Sequence, residues 1–293
     1  MQAPPSRPTL EAFLEMPREQ FVAQQIAPTT LIYASGGTRR SAVLAGIEPS
    51  SDSYAAFGHR GMLRCCNLIF GYGVRHIFAT AIRPGQFAER GRYRDRLLAW
   101  VAEGLAGDAA LETFARFGWR VRLTGAEHIP ELHEAAARLV AATPAHWQHT
   151  LWWAVAPDAG APWRSILAAA QRSGASTREE AITALYGEPV PLSTLYLAFG
   201  KPIVVPDLIP PLLAGEIQCY WSQRPGYSLS EESWRNILYD YAYLRRTWSA
   251  DSAARDLVAL EQRAVWEQAG IIGLGQALGP FWFPLADTMA GAL

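Results

Sequence analysis

Short apolar runs alternate with longer amphipathic segments along most of the chain. Residues 30–34, 74–82, 119–123, 150–155, 194–199 and 216–221 are rich in β-branched and aromatic side chains and predict six strands. The segments between them, at 53–72, 93–117, 163–172 and 177–186, are helical in composition. Since helices between strands indicate right-handed crossovers, the pattern predicts an α/β fold with a central, mostly parallel sheet of about six strands.

The two ends of the chain fall outside this alternation. Residues 1–27 combine a proline-rich start with a short amphipathic helix at 10–25, and another amphipathic helix is expected at 234–248. No internal repeat, low-complexity linker or charge run marks a boundary. The sequence therefore predicts a single domain over residues 1–293, with an N-terminal helical lead at 1–27 and a C-terminal extension at 250–293.

The composition limits the binding partners and the cellular compartment that we expect for the protein. The 26 basic and 27 acidic residues give a net charge of −1, which disfavours nucleic acid and anionic membranes as partners. No secretion signal or membrane-spanning apolar run is visible, and three cysteines cannot form a disulfide framework, so we expect a soluble cytoplasmic protein. Charged residues make up only 18% and tryptophan reaches 11 copies, which indicates a large apolar interior or an aromatic-lined cavity.

The turn after the first predicted strand, at residues 35–40, is the strongest candidate for a binding site. It lies at the carboxyl end of a strand, where parallel sheets bind ligands. Gly36 and Gly37 let backbone N–H groups approach an anion, and Thr38 can donate a hydrogen bond. Arg39 and Arg40 supply charge with a geometry suited to phosphate oxygens. The spacing matches neither a P-loop nor the dinucleotide-binding motif, and a diphosphate would suit this turn.

Further motifs follow this turn in a characteristic order. They are Tyr54, Arg60 and Arg64, then Glu-Arg-Gly-Arg-Tyr at 89–93, Leu-Tyr-Gly-Glu at 185–188, Ala-Phe-Gly-Lys at 198–201, Arg-Asn-Ile-Leu-Tyr-Asp at 235–240 and Ile-Gly-Leu-Gly at 272–275. Together with Gly-Gly-Thr-Arg-Arg at 36–40, the series resembles the cis-prenyltransferase fold over most of the chain. It resembles more closely the bacterial diterpene synthases of the tuberculosinol synthase type, which are built on that fold.

The resemblance implies a terpene synthase that acts on a C15–C20 isoprenoid diphosphate, in particular a cyclised diterpenyl diphosphate. Such an enzyme ionises the carbon–oxygen bond and releases a terpene alcohol or hydrocarbon, or transfers the cation to an acceptor. It also implies a homodimer with contacts in the C-terminal region, where Tyr239, Tyr241 and Tyr243 are expected interface residues.

The resemblance assigns roles to individual side chains. Arg39 and Arg40 are expected to bind the diphosphate, with Lys201 and Arg245 as additional cations and the amides of the two glycines completing the site. Tyr54 is expected either to orient the attacking water or to stabilise the carbocation with the face of its ring.

The chain departs from the family at both positions where carboxylates would serve magnesium. The loop aspartate is replaced by Gly36, and residues 80–85 offer Arg83 and no carboxylate. Magnesium is usually bound by one or two carboxylates together with substrate phosphates, so its use here is left open and no metal ligand is assigned. Arg83 is expected to neutralise the leaving group directly.

Two other functions stay open at the level of sequence. A non-catalytic, cis-prenyltransferase-like partner subunit would keep the fold and lack the loop aspartate. A prenyl chain elongator is disfavoured, because the Arg-rich Ser-Gly-Glu segment of its second substrate site is not found. His59, on the helix after the turn, is either a hydrogen-bonded core histidine or a proton carrier.

Overall fold

The chain folds around one parallel sheet, which confirms the predicted architecture. A computed structural model describes residues 7–51, 53–88, 92–204, 210–245, 255–268, 273–279 and 281–284. Its sheet has six strands in the order β3-β4-β2-β1-β5-β6. The strands are β1 (Thr30–Ala34), β2 (His76–Ile82), β3 (Trp119–Thr124), β4 (His149–Val155), β5 (Ser193–Phe199) and β6 (Ala214–Ser222).

Helices cover both faces of this sheet. They are α1 (Leu10–Leu14), α2 (Arg18–Ala23), α3 (Thr38–Leu44), α4 (Ser53–Phe70), α5 (Pro84–Phe87), α6 (Arg92–Ala106), α7 (Asp108–Phe117), α8 (His133–Ala141), α9 (Ala161–Ser173), α10 (Arg178–Tyr186), α11 (Glu231–Tyr239), α12 (Arg255–Glu261) and α13 (Arg263–Glu267). A π-helical turn at Asp240–Leu244 extends α11, and a hairpin of β7 (Gly275–Leu278) and β8 (Phe281–Pro284) follows α13.

Two predicted helices are each divided in the structure. The helix expected at 10–25 is interrupted before Pro17, which cannot donate the hydrogen bond that a helix interior requires. The helical segment expected at 93–117 breaks at Gly107, which lies between α6 and α7 and begins α7 as its N-cap. A Cβ at Gly107 would lie 2.5 Å from the Glu103 carbonyl oxygen, so glycine permits this close turn.

Strand β1 shows how the sheet divides the core. Its side chains alternate between faces, so Leu31 and Tyr33 pack with α4 and α11, while Ile32 and Ala34 face the side covered by α9 and α10. All five residues of β1 are buried, as expected for a central strand of a parallel sheet.

The expected interface tyrosines lie largely inside the chain's own core. Tyr239 is only 6% exposed and Tyr241 4%, and Tyr243 packs against the same apolar cluster. The prediction that Tyr239 and Tyr241 form the dimer contact is therefore wrong, because these side chains are buried against α1 and the sheet of the same chain. Tyr243 is only partly buried against α1, and its place in an interface stays a prediction. Residues 89–91, 246–248 and 272, which belonged to predicted motifs or helices, lie outside the described residues. Among the helices that the structure describes, none is long and apolar enough to cross a membrane.

Candidate active site

A cavity of about 540 Å³ opens at the carboxyl ends of β1, β2 and β5. Its floor is formed by the last residues of these strands and by β4, and its two walls are formed by α4 and α6. Because parallel strands end at one edge of the sheet, the loops after β1, β2 and β5 meet around its mouth.

The loop after β1 is held in place by three backbone contacts around Gly36. The Gly36 N–H donates to the Ala34 carbonyl at 2.7 Å, and its carbonyl accepts from the Gly226 N–H at 2.8 Å. A Cβ at Gly36 would lie 2.4 Å from the Phe199 carbonyl oxygen. The position where the family carries aspartate thus has no room for a side chain, and the Gly36 amide already has a partner, unlike the expectation that it binds the anion.

The loop then enters α3 through Gly37. This residue has φ +74°, a conformation that glycine adopts without strain, and it precedes Thr38, the first residue of α3. Gly36, Gly37 and Thr38 all line the cavity.

Three predicted cations lie at or beside the mouth. Arg83, after β2, and Lys201, after β5, both line the cavity. The guanidinium of Arg40 lies between the loops after β1 and β5, since a Cβ at Gly37 would be 2.7 Å, and one at Gly200 2.9 Å, from its Nη2. The structure therefore brings positive charge from three separate segments to one end of the cavity.

Besides Arg40, which lies beside the mouth, two further predicted diphosphate ligands do not line the cavity. Arg39 is exposed on α3. Arg245 pairs with Asp240 at 2.6 Å, donates to the Cys219 carbonyl at 3.0 Å and lies over the ring of Tyr220. These contacts occupy the Arg245 guanidinium with a structural role at the end of the π-helical turn.

Tyr54 lies where the motif order led us to expect it, in the first turn of α4 and in the cavity wall. Its hydroxyl forms a hydrogen bond with the Thr38 hydroxyl at 2.8 Å. Its ring meets the edge of Trp100 on α6, with centroids 6.1 Å apart. Tyr54 therefore links the loop after β1 to the interior of the cavity.

The interior beyond Tyr54 is apolar and aromatic. Trp100, Leu97, Val101 and Gly104 face it from α6 at the helical spacing of one stripe. The remaining aromatic side chains in the wall are Phe114, Trp153, Tyr196, Phe199 and Tyr227. The excess of tryptophan in the composition indicated such a cavity. The individual rings were not predicted, because apolar residues recur along a helix at the same spacing whether they pack in the core or line a cavity.

His59 lies deeper in the same wall. It forms a hydrogen bond with the backbone of Gly104, which connects α4 to α6, and its ring lies 6.4 Å from that of Phe114. Burial lowers the pKa of His59, with Arg60 adding to the effect against the raising influence of the Gly104 bond. The side chain is thus kept neutral at physiological pH.

The described residues that line the cavity include no aspartate and no glutamate. Nor do any three His, Cys, Asp or Glu side chains gather into a metal-binding cluster elsewhere in the described part of the chain. The described lining therefore lacks the one or two carboxylates that usually bind a magnesium ion together with substrate phosphates, so the donor set does not fit that ion.

Sequence comparison identifies the family. The chain is 45% identical over 287 residues to (+)-kolavelool synthase of Herpetosiphon aurantiacus, covering 98% of this chain and 99% of that protein. The protein belongs to the bacterial diterpene synthases built on the cis-prenyltransferase fold. A second relative, tuberculosinyl adenosine transferase of Mycobacterium tuberculosis, is 26% identical over 277 residues, 87% of this chain and 90% of that protein. No family model matches.

Solved structures support the same fold for this diterpene synthase. Lavandulyl diphosphate synthase from Lavandula x intermedia, in complex with dimethylallyl diphosphate, superposes with a TM-score of 0.58 at 14% identity and covers 75% of this chain and 97% of that one. A probable undecaprenyl diphosphate synthase from Campylobacter jejuni gives 0.58 at 15% identity, covering 75% and 98%. The chain is thus an enzyme of diterpene metabolism on a prenyltransferase scaffold.

Proposed function

We propose that this diterpene synthase ionises a C15–C20 isoprenoid diphosphate, specifically a cyclised diterpenyl diphosphate, and releases a terpene alcohol or hydrocarbon. The observation that carries the proposal is that the two ends of the cavity differ in chemistry: cationic side chains lie at the mouth, and aromatic rings line the interior. Its volume of about 540 Å³ lies within the roughly 300–1,000 Å³ range of small-molecule sites.

The mouth suits the leaving group. Arg83, Lys201 and Arg40 come from three separate segments of the chain, so they can surround a diphosphate and stabilise the charge that it gains as the carbon–oxygen bond breaks. Arg39 remains a proposed ligand that would approach the same group from outside the mouth.

The interior suits the cation. An aromatic face stabilises a positive charge by about 0.5–2 kcal/mol, most when water is excluded. Tyr54 and Trp100 are the rings nearest the anion-binding loop, where the charge first forms. The hydrocarbon then extends toward Phe114 and Trp153, among side chains that exclude water.

No carboxylate is found among the described residues that line the cavity, which supports ionisation driven by protein cations. We infer that magnesium is dispensable, and that Arg83 acts in the place of the metal. A non-catalytic partner subunit would have no need of a cationic mouth joined to an aromatic cavity, which disfavours that alternative.

The experiment is to incubate the purified enzyme with geranylgeranyl diphosphate and with a bicyclic diterpenyl diphosphate, each with magnesium or with a chelator. We expect diphosphate release and a diterpene product from the bicyclic substrate in both conditions. Turnover that requires magnesium would overturn the metal proposal alone. Absence of product from both substrates would overturn the function. A radiolabelled elongation assay with isopentenyl diphosphate tests the elongator.

Variants locate the chemistry within the cavity. Arg40→Ala and Lys201→Ala should lower diphosphate release strongly, whereas Arg172→Ala, an exposed arginine in the last turn of α9, should leave it unchanged. Tyr54→Phe keeps the ring and removes the hydroxyl that Thr38 holds, so we expect slower release. Full turnover in Tyr54→Phe would instead assign Tyr54 to cation stabilisation by its ring.

A second candidate is transfer of the prenyl cation to an acceptor other than water. The relative named tuberculosinyl adenosine transferase motivates it. Adding adenosine to the same incubation and searching for a prenylated nucleoside by mass spectrometry tests it directly.

A further inference from the structure

Tyr227 is a second tyrosine of the cavity wall, and its position is fixed by backbone contacts. It lies in a 3₁₀ turn at Gly226–Ser228, directly under the loop after β1. The preceding Gly226 N–H donates to the Gly36 carbonyl at 2.8 Å, and a Cβ at Gly226 would lie 2.9 Å from that oxygen. Arg64 binds the backbone carbonyl of Tyr227 from α4.

The ring of Tyr227 occupies a gap that two glycines leave in α4. A Cβ at Gly61 would lie 2.6 Å from Cγ of the ring, and one at Gly58 would lie 3.5 Å from the hydroxyl oxygen. Phe57 contacts the ring edge-on at 5.9 Å between centroids. The ring therefore has little freedom, and its hydroxyl reaches the cavity beside Gly58, one helical turn from Tyr54.

The two tyrosine hydroxyls differ in what they already bind. The Tyr54 hydroxyl is hydrogen-bonded to Thr38, whereas Tyr227 bonds to the described residues through its backbone N–H and carbonyl and not through its hydroxyl. It thus keeps one donor and its acceptor lone pairs for a ligand. Burial raises the pKa of Tyr227, with the nearby Tyr54 adding to the effect, so the hydroxyl stays protonated.

A water molecule fits this position better than the substrate hydrocarbon does. Ordered water inside a protein needs about two to four polar partners, and the apolar interior of this cavity offers few. The Tyr227 hydroxyl supplies one such partner at the cavity wall, and the Tyr54 hydroxyl, one turn from Gly58 on α4, supplies a second. An occupant that hydrogen-bonds is therefore favoured beside Tyr227 over one that does not.

Resting on the proposed function, we propose that the Tyr227 hydroxyl holds the water that captures the diterpenyl cation. The carbon–oxygen bond of the substrate breaks with its electron pair on the diphosphate. A lone pair of the held water then forms the new carbon–oxygen bond. The oxonium loses its proton to the released diphosphate, so that substrate and water become alcohol and protonated diphosphate. Tyr227 thus decides between alcohol and hydrocarbon after ionisation.

The test separates ionisation from capture. Diphosphate release and the ratio of alcohol to hydrocarbon are measured for wild type, Tyr227→Phe and the control Tyr186→Phe, which alters a buried tyrosine at a second cavity. We expect Tyr227→Phe to release diphosphate at a rate close to wild type and to lose most of its alcohol, with hydrocarbon formed by proton loss in its place. Tyr186→Phe should keep the wild-type ratio.

A second variant removes the water and keeps Tyr227. Gly58→Ala places a methyl group 3.5 Å from the hydroxyl, and alanine favours the helix, so folding should not suffer. We expect the same shift from alcohol to hydrocarbon. An unchanged ratio in both variants, diphosphate release that falls together with the alcohol, or a wild-type product without alcohol would each overturn the role of Tyr227. Absence of diphosphate release in wild type would instead overturn the proposed function itself.

Discussion

At the scale of single residues, Lys201 offers a direct probe of the cavity mouth. It is the single lysine in the sequence, next to Gly200 at the end of β5, and its side chain is exposed at the cavity. An amine-specific acylating reagent therefore modifies two groups in this sequence, the Lys201 side chain and the N-terminal amine. The N-terminal amine serves as an internal control in the same sample.

We predict that inorganic pyrophosphate slows the acylation of Lys201 several-fold, because an ammonium held against phosphate oxygens is less accessible to the reagent. Peptide mass spectrometry, with and without pyrophosphate, measures the two amines separately. Equal rates at Lys201 in both conditions would remove it from the diphosphate site. Slowing at both amines would indicate a reagent effect.

Gly36 tests the fit of the loop around the mouth. Gly36→Ala would push a methyl group against the Phe199 carbonyl, only 2.4 Å from the ideal Cβ, and would shift the end of β5 that leads to Lys201. We expect a loss of about 1–3 kcal/mol in unfolding free energy, as for overpacked sites, together with weaker diphosphate binding.

The matched control for Gly36→Ala is Gly85→Ala in α5, where no atom lies within 4 Å of the added Cβ. It should keep the wild-type unfolding free energy and pyrophosphate affinity. Denaturant unfolding and calorimetric titration with pyrophosphate compare the three proteins. A Gly36→Ala protein with wild-type stability would show that the loop relaxes without cost.

At the scale of elements, the amino ends of the strands carry a buried ion pair far from the carboxyl ends that form the cavity. Arg120 on β3 pairs with Glu188 and donates to Thr150 on β4 at 2.9 Å. Its guanidinium also lies 4.6 Å from the ring centroid of Trp147. Since the Arg120 side chain is only 9% exposed, its charge depends on Glu188 for compensation.

We predict that Glu188→Gln destabilises the fold by up to about 3 kcal/mol, because it leaves a buried guanidinium without its counter-charge. Diphosphate release at permissive temperature should stay near wild type. Glu267→Gln, which removes an exposed pair with Arg263, is the control and should change stability by less than about 1 kcal/mol. Equal unfolding midpoints for the two variants would contradict the claim that the buried charge of Arg120 depends on Glu188.

His76, at the start of β2, should make stability depend on pH. Its pKa is lowered from 6.5 to about 4, mainly by burial; Glu188 opposes this shift, and Arg120, Arg75 and His149 contribute to it. Both folded and unfolded forms are neutral at pH 7. As the pH falls below 6.5, His76 becomes protonated in the unfolded chain but stays neutral in the folded chain. The unfolding free energy therefore declines until about pH 4, where the folded chain also binds the proton.

The measurement is the unfolding free energy at pH 7 and pH 5 for wild type and His76→Gln. Each unit of pKa difference corresponds to about 1.4 kcal/mol, so the variant should lose clearly less stability on acidification than wild type. His149, whose pKa burial also lowers, adds to the wild-type decline and remains in the variant. Parallel pH profiles would show that His76 is protonated in the folded state.

The sequence predicted elements better than their interruptions. Both ends of strand β1 were predicted correctly, because a short apolar run that is flanked by turn residues indicates a buried strand of a parallel sheet. The breaks at Pro17 and Gly107 were missed, since an amphipathic stripe continues through both. Tyr227 was missed for a different reason: it reaches the cavity through contacts with Gly36 and Gly61, more than 150 residues away in the chain.

At the scale of the whole molecule, the described C-terminal helices α12 and α13 expose several large apolar side chains. Leu257, Leu260, Val265 and Trp266 on α12 and α13 are 64%, 66%, 63% and 68% exposed. Contiguous exposed apolar side chains of this size are typical of interaction surfaces. The net charge of −1 brings little repulsion between identical chains.

We therefore predict a homodimer in which α12 and α13 of each copy bury these side chains against the partner, rather than the tyrosines of the π-helical turn. The double variant Leu260→Glu with Trp266→Glu should shift the protein to monomer in analytical ultracentrifugation, because it places charges in an apolar contact. Leu167→Glu, at a residue 59% exposed on α9, should remain dimeric. A wild-type monomer at all concentrations would refute the dimer, and a dimer that survives the double variant would place the contact elsewhere.

The double variant also tests whether one chain is sufficient for activity. If the monomeric variant keeps full diphosphate release, the cavity of one chain is sufficient for ionisation. If release is lost while the unfolding midpoint stays normal, the partner copy completes the site.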